Sequence, residues 1–409
     1  MGGAGAAFPT DIGSALLWNP ATTTKLAPFQ LEATAEYFMP RRSLRGTVES
    51  DAFGPGVPAT RLAGTTQSDA NNAVLPGLAG LWRHAPSQTT FAIAVTALAG
   101  FGVEYDSENP PSPGSNPLVS AQPPAGLGFG RIQSDYQLMT LSAGVARPIS
   151  SRLSIGFTAV TAMARFKLKP AAFAVPDDAN GDSFFTYPST NGFDEALGGG
   201  FRVGLQFEAI DGLFLGLSYA SPIWFEEFEW GISDELGASA DLDFGLDFPA
   251  KINVGLSYQF TQNLRIETDL RWIDYANTDG FRRDGYGAAG EVRGFGWKSI
   301  LVFALGAEYE IGEIGVFRAG YNFGENPIPS NRSFFNAPAP AIVEHHFTVG
   351  AGIRIAPKIT FDIAYYHGLK NADSGSVITP SGAVDGTRVR HSLTENSISF
   401  GLSFRRGEI

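Results

Sequence analysis

Apolar and polar residues alternate with a period of two along most of the chain. In Ile252 to Phe260, the residues Ile252, Val254, Leu256, Tyr258 and Phe260 share one face, while Asn253, Gly255, Ser257 and Gln259 share the other. Such alternation marks a strand with one apolar face. Thr261, Gln262 and Asn263 then form a polar turn, after which Leu264, Ile266, Leu270 and Trp272 resume the apolar face. Opposite them stand Arg265, Glu267, Asp269 and Arg271. Four charges on one strand face do not suit a soluble core; they suit a wet interior.

The same grammar predicts fourteen strands, centred near residues 34, 79, 95, 141, 159, 202, 219, 254, 269, 304, 318, 350, 363 and 399. Short turns follow Pro148, Glu208, Phe260, Ile311 and Ile355, whereas long loops occupy roughly 40–72, 102–133, 170–195, 277–296, 324–344 and 371–392. An even strand count with every long loop at one end predicts an all-β fold, an antiparallel transmembrane barrel with no free edge. Aromatics near strand ends (Tyr219, Tyr258, Phe260, Trp272, Tyr309 and Phe404) fit interfacial girdles. A soluble sandwich or propeller also alternates. Neither explains the charged inner faces or the loop asymmetry.

Composition narrows the function. The 409 residues include 49 Gly, 26 Pro and no Cys, and only 17% are charged. A net charge of -12 argues against a nucleic-acid partner, because phosphate binding needs clustered cations. The apolar run Phe91 to Val103 is too short for a spanning helix. No basic residue precedes Lys25 and Asp11 interrupts the opening apolar stretch, so a secretory leader is expected to have been removed or to lie upstream. No nucleophile elbow, His-Glu-x-x-His or Walker loop occurs, and the segment Asp178 to Asp182 reads as a surface turn rather than a calcium loop. Neither enzyme activity, metal nor cofactor is expected.

Several segments, in order, resemble one family. These are the Gly-rich start leading into Asn19-Pro20-Ala21, AGFGVEYDSE at 99–108, GLSYASPI at 216–223, DLRWIDYAN at 269–277 and FRAGYNFGENPIPS at 317–330. Together they are similar to the FadL/TodX outer-membrane transporters of fatty acids and hydrophobic compounds. The resemblance implies a hatch over residues 1–28, with Trp18, Asn19, Pro20 and Ala21 at its heart, inside a barrel formed by residues 29–409. It implies a third strand from Thr89 to Gly102, kinked at Gly100, Phe101 and Gly102 to open a lateral path. It also implies passive uptake of hydrophobic molecules by a monomer set among outer-membrane lipid and lipopolysaccharide. Long-chain fatty acids are the first expectation; aromatic or alkane hydrocarbons, or a structural barrel without transport, are the alternatives.

Two residue sets are candidates for ligand contact. Loop aromatics (Phe129, Phe184, Phe185, Tyr187, Phe193, Trp224, Phe225, Phe228 and Trp230) fit a capture groove, or else pack loop against loop. The inward Arg202, Arg318 and Arg354 fit a ligand carboxylate. The competing reading is that they, with Arg265, pair with Glu208, Glu267, Asp269, Glu308 and Glu310.

Overall fold

A computed structural model describes residues 1–70, 72–109 and 111–407; Glu408 and Ile409 lie outside the described residues. Fourteen strands, numbered here in chain order, form the wall: β1 Phe29–Val48, β2 Ala73–His84, β3 Thr89–Tyr105, β4 Ile132–Pro148, β5 Leu153–Lys169, β6 Asp194–Ile210, β7 Leu213–Ala220, β8 Lys251–Gln259, β9 Leu264–Ile273, β10 Ile300–Ile311, β11 Gly315–Gly324, β12 His345–Ala356, β13 Ile359–Gly375 and β14 Thr387–Arg406. Each strand pairs antiparallel with its chain neighbours, and β1 pairs with β14 from Phe29↔Arg406 to Val48↔Thr387, closing the barrel. Each expected strand centre falls inside one of these elements. Strands at the long-loop end reach further than the sequence suggests: β1 runs to Val48, β3 to Tyr105 rather than Gly102, and β13 to Gly375.

The alternation sorts outside from inside as expected. On β8, Ile252, Val254 and Leu256 are exposed on the outer wall, while Asn253, Gly255 and Ser257 are buried within. The charged face of β9 differs from expectation in one respect. Glu267, Asp269 and Arg271 are buried rather than water-lined, because the N-terminal segment fills this part of the lumen.

That segment, residues 1–28, forms a plug with one short helix, α1 (Ile12–Trp18), and a 3-10 turn, Pro20–Lys25. Asp11 caps α1 by accepting from the Ser14 backbone N–H at 2.6 Å. The plug fits because the inner wall lacks side chains where it passes. A Cβ on Gly204 would collide with the Asn19 side chain, and one on Gly216 with the Ala6 carbonyl. The Gly-rich inner faces are therefore a socket for the plug.

Candidate functional site

The lumen changes chemistry about halfway along the barrel. On β5, the inward Ser154 and Thr158 give way, toward the long loops, to Val160, Ala162, Ala164, Phe166 and Leu168. On β4 the change falls between Thr140 and Leu138. Thr96 of β3 and Thr140 of β4 face each other across it, their hydroxyls 3.1 Å apart.

Below this level the plug is held by polar contacts. The Asp269 carboxylate accepts from the backbone N–H groups of Gly5 and Ala6 at 2.9 and 3.0 Å, and Glu267 accepts from those of Ala7 and Phe8 at 3.1 and 2.9 Å. Glu32 accepts from Ile12 N–H at 3.0 Å. Asn19 is fully buried; its amide donates to Ala6 O and to Leu205 O of β6 at 2.7 and 2.8 Å, while its oxygen accepts from Ala21 N–H at 3.1 Å. Trp18 lies under the Arg271 guanidinium, 3.6 Å from the ring centroid. Pro20 and Ala21 are buried in the 3-10 turn. The four expected hatch residues thus tie the plug to itself and to the wall. The anchors Glu267, Asp269 and Glu32 were visible in the sequence only as inward charges, because their partners are backbone amides more than 15 residues away in the chain.

The arginines divide: Arg318 and Arg265 pair with carboxylates, whereas no ion pair among the described residues includes Arg202 or Arg354. Arg318 donates to Glu308 at 2.7 Å and lies 3.3 Å from Asp362; Arg265 lies 3.4 Å from Glu308. Arg202 is buried against the plug and donates to Leu16 O at 3.3 Å. Arg354 is exposed near the short-turn end of β12. None of the three expected carboxylate partners reaches the apolar part of the lumen.

Above the boundary the loops fold inward. Phe166 meets Phe101, Tyr136, Phe228 and Trp230 with ring centroids 5.3 to 5.7 Å apart. Trp230 and Phe228 stack at 5.4 Å, and the Trp230 indole N–H donates to Phe166 O at 2.9 Å. Phe225 packs at the edge of this cluster. Next to the cluster lies a narrow cavity of about 70 Å³, lined by Phe129, Tyr187, Phe173, Phe334 and neighbours. It shares Leu118, Phe129, Tyr187, Tyr286 and Phe334 with an outer groove of about 270 Å³ that also includes Phe185. The expected aromatics therefore divide. Phe129, Tyr187 and Phe185 line the groove or cavity, and Phe225, Phe228 and Trp230 build the packed cluster. Phe184, Phe193 and Trp224 are exposed and line neither; Phe193 sits 4.1 Å from the Arg165 guanidinium.

The wall itself is interrupted at this level. β2 and β3 pair from His84↔Thr89 only as far as Gly77↔Thr96. Beyond that, among the described residues, Ala73 to Pro76 pair with β1 alone and Ala97 to Tyr105 with β4 alone. Contact returns where Asp69 N–H donates to Glu104 O at 2.8 Å. Pro76, with no N–H, cannot extend the ladder toward β3. The kink expected at Gly100 and Gly102 lies elsewhere: both glycines pair regularly, with Gln137 and Asp135, and the bulge falls at Leu98, between Ala97↔Met139 and Ala99↔Leu138. A bulge bends and twists its strand. It also turns Phe101, Val103 and Tyr105 into the lumen, although Phe91, Ile93 and Val95 face outward. Phe101 stacks on Tyr136 at 5.0 Å, at the inner edge of the window.

A plugged fourteen-stranded barrel, apolar above and polar below, with a break in its wall, defines a membrane protein built to handle hydrophobic solutes. The chain matches the family model for outer membrane transport proteins, OMPP1/FadL/TodX, over residues 1–407, and it belongs to that family. It is thus a transport barrel of the outer membrane. Among solved structures, it is similar to the Pseudomonas putida toluene transporter TodX, with 17% identity and a TM-score of 0.72 over 100% of this chain and 97% of that one. A Pseudomonas aeruginosa FadL homologue matches at 15% identity and TM-score 0.72, covering 98% and 95% of the two chains. The Ralstonia pickettii toluene transporter TbuX matches at 18% identity and TM-score 0.66, covering 99% and 97%. No curated protein sequence matches.

Proposed function

We propose that this protein takes up small hydrophobic molecules passively, from the loop groove through the aromatic cavity and sideways into the membrane between β2 and β3. One observation carries the reading: pairing between β2 and β3 stops at Gly77↔Thr96, the level at which the lumen turns from apolar to polar. A solute that has descended through the aromatic half meets the wall break before it meets the plug. Leaving sideways keeps it out of water, worth about 0.8 kcal/mol for each methylene. Continuing downward means crossing buried Glu267, Asp269 and Arg271.

Between the two ligand classes, the cavity lining favours an uncharged, compact hydrocarbon. The cavity is small and walled mainly by aromatic and aliphatic side chains; Arg202, Arg318 and Arg354 stand away from it, and Lys169 is its one charged lining residue. TodX and TbuX are described as toluene transporters, which agrees with that reading. Long-chain fatty acids are the second reading, supported by the continuity of groove and cavity. A chain lying along both keeps its carboxylate in water at the groove mouth. Uptake of labelled toluene and labelled oleate by cells producing or lacking the protein tests both. Toluene uptake that depends on the protein, and is unaffected by excess oleate, supports the first class. Uptake of oleate alone reverses the choice, and uptake of neither removes the transport reading.

A further inference from the structure

Outside the lumen, the long-loop end of β1 and β14 carries an unusual charge cluster for a chain of net charge -12. Arg45 and Arg390 are directly opposed in register, and both point outward, since their neighbours Leu44, Val389 and His391 are buried. Arg388 is one outward position away, opposite Thr47, and Lys370 lies in the irregularity of β13 between Gly368 and Asn371. These cations line a hollow of about 670 Å³ on the outer wall, whose only carboxylate among the described residues, Glu49, is taken by Arg61 at 2.8 Å. Among the described residues, no ion pair includes Arg45, Arg388, Arg390 or Lys370. Like charges directly opposite on paired strands are destabilising. Such an arrangement calls for an external anion between them.

The height of the cluster indicates which anion. On β1 and β14 the outward apolar surface ends at Met39 and Ile398, in adjoining rows of the register, beyond which the outward residues Arg41, Thr394 and Ser392 are polar; on β13 the exposed Leu369 carries it up to Lys370. Arg45 is six residues past Met39. At about 3.3 Å per residue and a tilt of about 40°, that places it about 15 Å above the apolar edge of β1. A phospholipid headgroup zone is only about 5–8 Å deep, so its phosphate does not reach.

We propose that this hollow binds the phosphorylated, acidic oligosaccharide of lipopolysaccharide, the sugar region above the lipid anchor. Arginine suits the task because its planar fork meets phosphate and carboxylate oxygens in pairs. The assignment requires that the long-loop end faces outward, as in an outer-membrane barrel with long external loops; it is independent of what the lumen carries.

The test uses the full-length protein in detergent. It is titrated separately with rough lipopolysaccharide bearing its inner sugars, with sugar-free lipid A, with phosphatidylglycerol and with inorganic phosphate. The double variant R45Q/R390Q should bind rough lipopolysaccharide about tenfold more weakly than the wild type, the scale of losing charge-assisted bonds, while lipid A and phosphatidylglycerol binding stay unchanged. Without lipopolysaccharide the variant should melt no lower than the wild type, because a repulsion has been removed; with it, the wild type should become the more stable of the two. Equal lipopolysaccharide binding by both proteins overturns the proposal. So does an equal loss toward lipid A, which would put the site at the lipid anchor. Phosphate binding as tight as that of lipopolysaccharide, lost in the variant, would assign the hollow to a free anion instead. A variant that melts lower without any lipid would mean that the cluster is structural.

Discussion

At the short-turn end, β5 turns Ser154 and Thr158 toward a plug held by carboxylates; toward the loops, the same strand turns Ala164 and Phe166 into an aromatic cluster. The two halves also solve the problem of a filled barrel differently. In the lower half the filler is a backbone whose N–H groups need acceptors, supplied by Glu267, Asp269 and Glu32. In the upper half the filler is side chains from inward-folded loops, which need only apolar neighbours. The contrast teaches where each kind of solute is at home. A hydrocarbon is stable above the Thr96–Thr140 level and unstable below it, and the wall is unpaired on the favourable side of that level.

Moving a charge into the upper half should break the contrast most severely. Phe166→Asp buries a carboxylate with no cation among its aromatic neighbours, a cost that burial makes large. We expect either no folded barrel or a folded one with toluene uptake abolished; wild-type uptake would show that the aromatic cluster is not on the route.

Adjacent residues of β9 then compare the outer wall with the plug socket. Leu270 is exposed to lipid and Arg271 is buried inside. Leu270→Arg should cost about 2–4 kcal/mol if it sits near the bilayer midplane. Arg271→Leu loses its bonds to Asn253 Oδ1 at 2.6 Å and Gly3 O at 3.1 Å, which should cost about 1–3 kcal/mol. Urea unfolding from vesicles measures both, and the reverse order would mean the inside–outside register is wrong.

Smaller still, Asn19→Ala leaves the Ala6 and Leu205 carbonyls without their donor. We expect a loss of about 1–2 kcal/mol, together with a higher ion conductance in planar bilayers as the plug loosens. Unchanged conductance would mean that Asn19 does not fasten the plug.

Much of the wall was legible because a strand's inside and outside are a local property: Ile252 to Phe260 or Leu264 to Trp272 need no knowledge of the rest of the chain. Three features were not local. The bulge at Leu98 is set by pairing with Met139 and Leu138, and nothing in TALAG distinguishes it from the glycines that follow. Nothing near Gly204 and Gly216 in the sequence says why they lack side chains; they are empty because Asn19 and Ala6 pass there. The loop aromatics read as one set, fit either for a capture groove or for packing loop against loop, but they divide: Phe228 and Trp230 are drawn inward by Phe166, whereas Phe184 and Trp224 stay exposed. In each case the deciding partner is distant in sequence.

The central claim is the sideways exit, and removing Leu98 tests it most directly. Because Ala97 and Ala99 already pair with the adjacent Met139 and Leu138, the deletion makes the ladder regular without turning any other paired residue to the opposite face. With Pro76→Thr added to restore the missing N–H, a straighter β3 can then pair with β2 beyond Gly77. The measurement is the initial rate of labelled toluene uptake, in cells whose protein keeps the heat-modifiable gel mobility of a folded barrel. We expect the rate to fall to that of cells lacking the protein. A folded deletion variant that takes up toluene at the wild-type rate would contradict the account.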